Sequence, residues 1–416
     1  MALGILGCGG GDGGDGGNDG GNSPLDPAPE PVCSALSRDA QASSQGRLGG
    51  ASLVVPDSTV ERAADLGVRA HTDHLIYWGA SGRADAPEGL TPAGVRAAYG
   101  ISATGGSGAI AIVAAFDAPT ILADFNVFSS TFKLPQETSG TATASGNKVF
   151  QVVYASGTRP TTNSGWAQEA SLDTQWAHAM APKAKIYLVE AASSSLRDLM
   201  AAATIARKLS GVRQVSMSFG ATENPCFFTQ YDSVFQVAGV AFFAPSGDSA
   251  GERDFPALSR DVVAVGGTSL VLNANGSRRS ESAWEDAGAG RSRYSPRPAF
   301  QDGVIDSVGR YRAAADVSAV ADPRTGVSVY SSTPDAGESG WLVIGGTSAS
   351  TPIVAGIANS AGTTGLNSRG VAARLYNALG GGSLFDVQTG QAGSFEAGVG
   401  YDFPTGVGTP NGTGAF

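Results

Sequence analysis

Charge is scarce in this chain. Only 15% of its 416 residues are Asp, Glu, Lys or Arg, and their balance is acidic, with a formal net charge of −10. A sparsely charged, acidic surface argues against a nucleic-acid partner, because nothing on it matches a phosphate backbone. It suits work in acid, where few titrating groups mean little self-repulsion. Long apolar runs are also missing: none approaches the ~20 residues that a membrane-spanning helix requires. Cysteine is limited to Cys8, Cys33 and Cys226, and histidine to His71, His74 and His178. No internal repeat is visible, which argues against solenoids and propellers.

The first residues carry a different signal. Met1 to Cys8 resemble the tail of an export signal, and Ile5-Leu6-Gly7-Cys8 matches the bacterial lipobox, in which the cysteine is lipidated and becomes the mature N-terminus. No Lys or Arg precedes it. With Cys8 lipidated, Cys33 and Cys226 remain as an even pair for an exported protein. Gly9 to Pro31 is rich in Gly, Asp and Asn and then in Pro, so it reads as a flexible tether. The expected organisation is therefore residues 1–32 as signal remnant and tether, 33–90 as a short N-terminal segment, and 91–416 as the main domain. In the second segment Val60 to Val68 reads as a short helix. His71 and His74 read as exposed loop residues, since no third metal ligand accompanies them.

From Thr91 the pattern is regular. Pro92 to Tyr99 starts a helix, Ala109 to Ala115 is a buried strand ending at Asp117, and Val149–Tyr154 and Lys185–Glu190 are further strands. Leu196–Leu209 is helical. Strands follow at Gln214–Phe219, Gly239–Ala244 and Asp261–Val265. Apolar strands alternating with helices predict an α/β fold of three layers around a mainly parallel central sheet. Function in such sheets sits at the carboxyl ends of the strands, where Asp117, Ser218 and Asp248 all fall.

Two stretches carry chemistry. In Gly345-Gly346-Thr347-Ser348-Ala349-Ser350-Thr351-Pro352 a strand ending in Val343-Ile344 hands over to a small-residue helix. The glycines allow a tight turn, and Pro352 is expected in the first turn of the helix. Ser348 would then lie among free backbone N–H groups at the helix's positive end, a good place for a nucleophile. The second stretch runs from Trp166 to Pro182. Its helical apolar stripe of Leu172, Trp176, Ala177 and Met180 extends back onto Asp173 and Glu169, which puts two carboxylates one turn apart on the buried face. Such a pair is costly unless it shares a proton or meets a partner, and sharing equips one member to take a proton from a hydroxyl. A carboxylate base works in acid, where histidine is already protonated. His178 points away from this stripe.

The chain resembles the sedolisins, the serine-carboxyl peptidases of subtilisin-like fold. The likeness rests on Trp166…Glu169-Ala-Ser-Leu-Asp173…His178-Ala-Met-Ala-Pro182, Ser246-Gly-Asp248-Ser, Val265-Gly-Gly-Thr-Ser269, Asp316-Val-Ser-Ala, Ala321-Asp-Pro-Arg-Thr-Gly326 and Gly346-Thr-Ser348-Ala-Ser-Thr-Pro352, in that order from Thr91 nearly to the end. The resemblance implies Ser348 as nucleophile, Glu169 as general base, Asp173 as the residue that orients it, and Asp248 as a protonated donor in the oxyanion hole. It implies, more weakly, that Ser218-Phe219-Gly220 pairs with substrate backbone. It further implies Ca²⁺ held by Asp386 and Asp402 with carbonyls of Val387, Gly398 and Gly400, hard oxygen ligands on a glycine-rich loop. Many sedolisins carry a long folding pro-domain, and residues 33–90 are too few for one.

These readings lead to one expectation: a monomeric, acid-acting endopeptidase of protein or peptide substrates, either secreted or tethered to the cell envelope through Cys8. Two rivals stand beside it. A conventional Ser-His-Asp subtilase needs a His-Gly-Thr helix start, which none of the three histidines supplies, and Asp117 is its only matching element. A binding protein on an inactive peptidase scaffold is the other.

Overall fold

The computed structural model describes residues 53–77, 86–335 and 338–416. The lipobox cysteine Cys8, the tether at 9–31 and Cys33 lie outside the described residues. Cys226 is disulfide-bonded.

Three short strands open the described chain: β1 (Leu53–Val54), β2 (His71–Thr72) and β3 (Leu75–Tyr77). The helix expected over Val60–Val68 is absent. That stretch is a series of turns after a single 3₁₀ turn at Asp57–Thr59, because its apolar positions are too few to hold a helix against the body. Helix α1 (Pro92–Tyr99) begins at a Thr91 cap, and Gly100 ends it in the left-handed conformation.

The parallel sheet follows: β4 (Ala109–Ala115), β5 (Phe150–Tyr154), β6 (Lys185–Ala191), β7 (Val212–Ser216), β9 (Ala241–Pro245) and β11 (Val263–Leu272). Between them come the short β8 (Phe219–Thr222) and β10 (Asp254–Phe255). Among the described residues the sheet runs β12-β11-β9-β7-β4-β6-β5, where β12 is Arg278–Ala283, and β15 (Val317–Val320) also pairs with β11. Every neighbour is parallel except β12. Outside it, β13 (Gly290–Pro296) pairs with β14 (Tyr311–Ala314), and β16 (Val327–Asp335) with β17 (Glu338–Gly345).

Helices cover both faces. On β9, Phe242 and Ala244 point into one apolar core with α4 (Leu196–Ala206) and α5 (Pro225–Phe235). Ala241 and Phe243 point into a second core, shared with α3 (Ser164–Met180) and, beyond the four-residue α6 (Ile305–Val308), with α7 (Thr347–Ser360). The period-two alternation of a strand thus serves two layers. Helix α2 (Ile121–Thr131) packs beside α3, and α8 (Ser368–Asn377) reaches β9 and β11. This is the three-layer α/β architecture that the sequence predicts. No helix among the described residues is long and apolar enough to cross a membrane.

The segment ahead of Thr91 is built into the same body. Strand β3 pairs with β17, and β2 pairs with β8.

One buried ion pair ties the far side of the fold together. Arg312 and Asp316 have no exposed side-chain surface, and the carboxylate also accepts from Ala264 N at 2.8 Å and from the Tyr376 hydroxyl at 2.9 Å. Removing one partner strands a desolvated charge. Asp316→Ala is expected to cost about 3–5 kcal/mol of folding stability, read as a lower midpoint in urea unfolding. A loss below about 1 kcal/mol would show that the pair is dispensable.

Candidate active site

Helix α3 is buried on every side: each residue from Gly165 to Met180 is enclosed. Asn163 caps it by accepting from Trp166 N at 3.1 Å. Helix α7 lies close against it at Gly356, where an added methyl carbon would come within 2.6 Å of Met180 Cβ and 2.9 Å of Ala177 O. Only glycine permits that approach, and it brings the first turn of α7 to the first half of α3. Ser348 therefore meets Glu169, and Glu169 meets Asp173 one turn along. All three are fully buried.

Pro352 falls one turn deeper than the sequence predicts, because α7 begins at Thr347. Having no N–H, it leaves the Ser348 carbonyl without its partner four residues on. Ser218 fills the gap: its hydroxyl lies 3.3 Å from the Ser348 oxygen and 2.6 Å from Asp173 Oδ1. One side chain in the short link between β7 and β8 thus touches both the nucleophile's turn and the carboxylate pair. The Ser348 hydroxyl also lies 3.4 Å from the Ser218 carbonyl and accepts from Asp73 N at 3.1 Å.

Burial is the largest cause of the carboxyl shifts. It pushes Glu169 and Asp173 well above the usual carboxylate range. The neighbouring Ser348 and Asp173 oppose this at Glu169 by favouring its charged form, whereas charge on Glu169 drives Asp173 higher. Buried together, the two carboxyls favour sharing one proton over ionising twice. Asp248, after β9, is raised well above its usual value by burial and then by the Asp73 charge. Its Oδ1 accepts from Thr347 N at 2.7 Å and from the Thr347 hydroxyl at 2.8 Å, while Oδ2 has no hydrogen-bond partner. An unpartnered, protonated carboxyl beside a hydroxyl can donate to an oxyanion.

The histidines differ from the sequence reading. His71 and His74 are buried, because the Leu75-Ile76-Tyr77 run is a strand that pulls its neighbours inside. His74 Nδ1 stands 2.7 Å from Glu169 Oε2. Burial lowers its pKa to about 4 against the opposing charges of Asp335 and Asp73, so the ring is neutral at higher pH. His71 Nδ1 stands 3.2 Å from Asp73 Oδ1 and its Nε2 3.5 Å from Asp254 Oδ2. Burial alone would lower its pKa, but Asp73, Asp254 and Glu252 outweigh that and raise it well above the ordinary value. The ligand atoms of His71, Asp73 and Asp254 lie within 4.8 Å of one another. With its ring protonated, His71 forms ion pairs with both carboxylates. His178 turns away as expected, with Nε2 2.9 Å from the Pro135 carbonyl and its ring 4.8 Å from that of Phe125. No histidine among the described residues hydrogen-bonds Ser348. Asp117 is held by Arg159 through two contacts of 2.8 Å.

The sequence reading missed Asp73 and His74 as neighbours of the site. The available signal was the apolar run directly after them. Phe219 and Gly220 lie on β8, whose pairing edge is taken by β2.

The five residues assigned to calcium sit on adjoining loops. Asp386 accepts from Gly400 N at 3.1 and 3.2 Å, and Asp402 from Gly398 N at 3.0 Å and Thr405 N at 2.8 Å. Val387 between them is buried. Burial, with the Asp386 charge adding to it, raises Asp402 to about 6. Two neighbouring carboxylates that repel one another are hard oxygen donors of the kind a divalent cation takes.

Residues 136–363, more than half of the chain, match the subtilase family. Kumamolisin of Bacillus sp. strain MN-32 is 35% identical over 217 residues, which cover 45% of this chain and 38% of that protein. Sedolisin of Pseudomonas sp. strain 101 is 34% identical over 173 residues, covering 37% of this chain and 28% of that protein. The matches thus span less than half the length of these curated relatives. The solved structure of Pseudomonas sedolisin, a serine-carboxyl proteinase, superimposes with a TM-score of 0.64 at 23% identity, over 78% of this chain and 96% of that one, a likeness of fold. The chain belongs to the subtilase family.

Proposed function

We propose that this protein is an acid-acting serine-carboxyl endopeptidase. The observation that carries the reading is a buried carboxylate pair, in place of a histidine, at the Ser348 hydroxyl. Glu169 takes the hydroxyl proton as Oγ adds to a peptide carbonyl, and Asp173 supports the charge on Glu169. The Ser348 N–H and protonated Asp248 donate to the oxyanion. Glu169 then returns the proton to the leaving amine, and water repeats the sequence to free the acyl group. Ser218, Phe219 and Gly220 line the edge along which substrate backbone extends. Export, a lipid tether at Cys8, a monomeric state and the division at residues 32 and 90 belong to the same proposal.

The pH dependence follows from the carboxyl shifts. Asp248 must hold its proton, so activity falls as pH rises through its raised pKa. Glu169 must ionise, so activity also falls in strong acid. Cleavage of a denatured protein should peak in acid, and Ser348→Ala and Glu169→Ala should each reduce it by at least about 10³-fold. Asp248→Asn keeps a donor without titrating and should lose the alkaline limb. A neutral optimum that survives Glu169→Ala would overturn the reading in favour of a histidine-dependent site.

Calcium, where bound, would be held by Asp386 and Asp402 with carbonyls of Val387, Gly398 and Gly400, and would neutralise the repulsion between the carboxylates. Its contribution is stability of these loops, not a chemical step. Chelation should lower the unfolding temperature of the wild type, and Asp386→Ala should abolish the difference. Equal unfolding temperatures with and without chelator would rule out the site.

A further inference from the structure

Strand β8 has a partner on each edge, β2 on one side and β10 on the other. His71 on β2 stands opposite Gly220, and Asp254 on β10 stands opposite Thr222, two residues along. Their side chains therefore lean over the same face of β8. Gly220 leaves the room between them, because an added methyl carbon there would collide with Asp254 Oδ2. His71 Nε2 comes to 3.5 Å from Asp254 Oδ2, with no hydrogen bond between the two.

Both residues are enclosed, His71 with 5% of its surface exposed and Asp254 with 1%. The polar atoms that face one another are the ones left over: His71 Nε2 and both oxygens of Asp254 have no hydrogen-bond partner. Buried polar atoms are rarely left so. A charged hydrogen-bonded pair stands at ~2.8 Å, whereas two ligands of one tetrahedral zinc, each ~2.1 Å from it, stand ~3.4 Å apart. The other ring nitrogen, Nδ1, lies 3.2 Å from Asp73 Oδ1, the arrangement in which a carboxylate orients a metal-bound imidazole. The surrounding charge is negative: Asp73, Asp254 and Glu252 all act on His71, and Glu61 acts on Asp254. Glu61 is itself fixed at this edge, where its carboxylate accepts from the Thr222 hydroxyl at 2.6 Å.

We infer that His71 Nε2 and the Asp254 carboxylate form a site for a divalent transition metal of the zinc class, with Asp73 holding the ring and water completing the coordination. An imidazole nitrogen with carboxylate oxygens is a donor set that zinc takes. Binding displaces the proton from the ring, so the cation takes over the place that the proton has in the metal-free protein. The site joins two stretches far apart in the sequence. Strand β2 leads into Asp73, whose carbonyl accepts from Ser348 N at 2.9 Å and whose N–H lies 3.1 Å from Ser348 Oγ, whereas Asp254 belongs to the loop that follows Asp248. A metal here fastens residues 71–73 to the wall of the cleft beside Ser348. It is a separate site from the paired loops of Asp386 and Asp402, and it does not depend on the peptidase reading. His71 shows no companion ligand in the sequence because Asp254 follows it far along the chain.

The test is titration of the full-length protein at neutral pH with Zn²⁺ and, for its visible spectrum, with Co²⁺, keeping Ca²⁺ in excess throughout so that the other site does not compete. In the wild type, zinc should raise the unfolding temperature and slow amide exchange at residues 71–73, and cobalt should give the absorption of a tetrahedral ion with nitrogen and oxygen ligands. His71→Ala and Asp254→Asn, each checked for native circular dichroism, should remove all three signals. Asp73→Asn should weaken zinc binding about 10–100-fold without abolishing it, as expected for a residue that acts through the ring. No response of the wild type to zinc in millimolar excess overturns the inference. A response that survives in both His71→Ala and Asp254→Asn also overturns it, because the metal then binds elsewhere.

Discussion

The close approach of α3 and α7 governs the rest of the site. Glycine at position 356 lets the helices come near enough that the Ser348 hydroxyl reaches a carboxylate rooted in a helix with no exposed face. In water, Glu169 and Asp173 would each ionise independently near the ordinary carboxylate range. Between the two helices they cannot, because desolvation penalises both charges and the charge on Glu169 penalises a second one on Asp173. The pair must share a proton, and a shared proton beside a serine is a proton-transfer device. The chemistry is thus a consequence of packing: any change that let water reach α3 would relax the carboxylates toward ordinary acids.

The same packing explains the work given to Ser218. A proline four residues after the nucleophile removes the helical partner of the Ser348 carbonyl, an arrangement that would leave a buried acceptor empty. Ser218 answers it from the link that follows β7 while holding Asp173 in place. The register of the central sheet and the orientation of the carboxylate pair are therefore coupled through one hydroxyl. Thr347 does the parallel service for Asp248: it occupies one oxygen with two donors and leaves the other turned toward Gly346.

The legible part of this protein was the part written in local patterns. The seven-residue apolar strand at Ala109 to Ala115, the capped helix at Pro92 and the stripe of α3 each declare themselves within a dozen residues, and the structure has them nearly where the sequence puts them. Residues 53–77 were not legible. Their strands are two or three residues long and gain their order from partners about 150 and 270 positions away, at Gly220 and Gly345. No window of sequence contains that information, so His71 and His74 read as exposed loop residues although their surroundings are fully enclosed. Pro352 shows a smaller failure of the same kind. Its local preference is for a first turn, but the tertiary need for Ser348 at the helix start placed it in the second.

Acid is also where this site is least costly to bury. In an unfolded chain, carboxyls release their protons near pH 4. In the folded one, Glu169, Asp173, Asp248 and Asp254 keep theirs to well above that, and Glu252 to about 7. Over this interval the native state binds more protons than the unfolded state, so each group's contribution to stability declines as pH rises. His71 adds the same slope, since its raised pKa stabilises the fold below the unfolded value and stops doing so as pH climbs past the folded one. His74 and His178, lowered to about 4, oppose it between about 6.5 and 4 by favouring the unfolded state as it takes up protons. The raised carboxyls around Ser348 and His71 outnumber the two lowered histidines. Carboxyls away from Ser348 add to the same slope, Glu190 raised to about 8 and Asp232, Asp286 and Asp402 to about 6, so the whole fold, and not the cleft alone, favours acid.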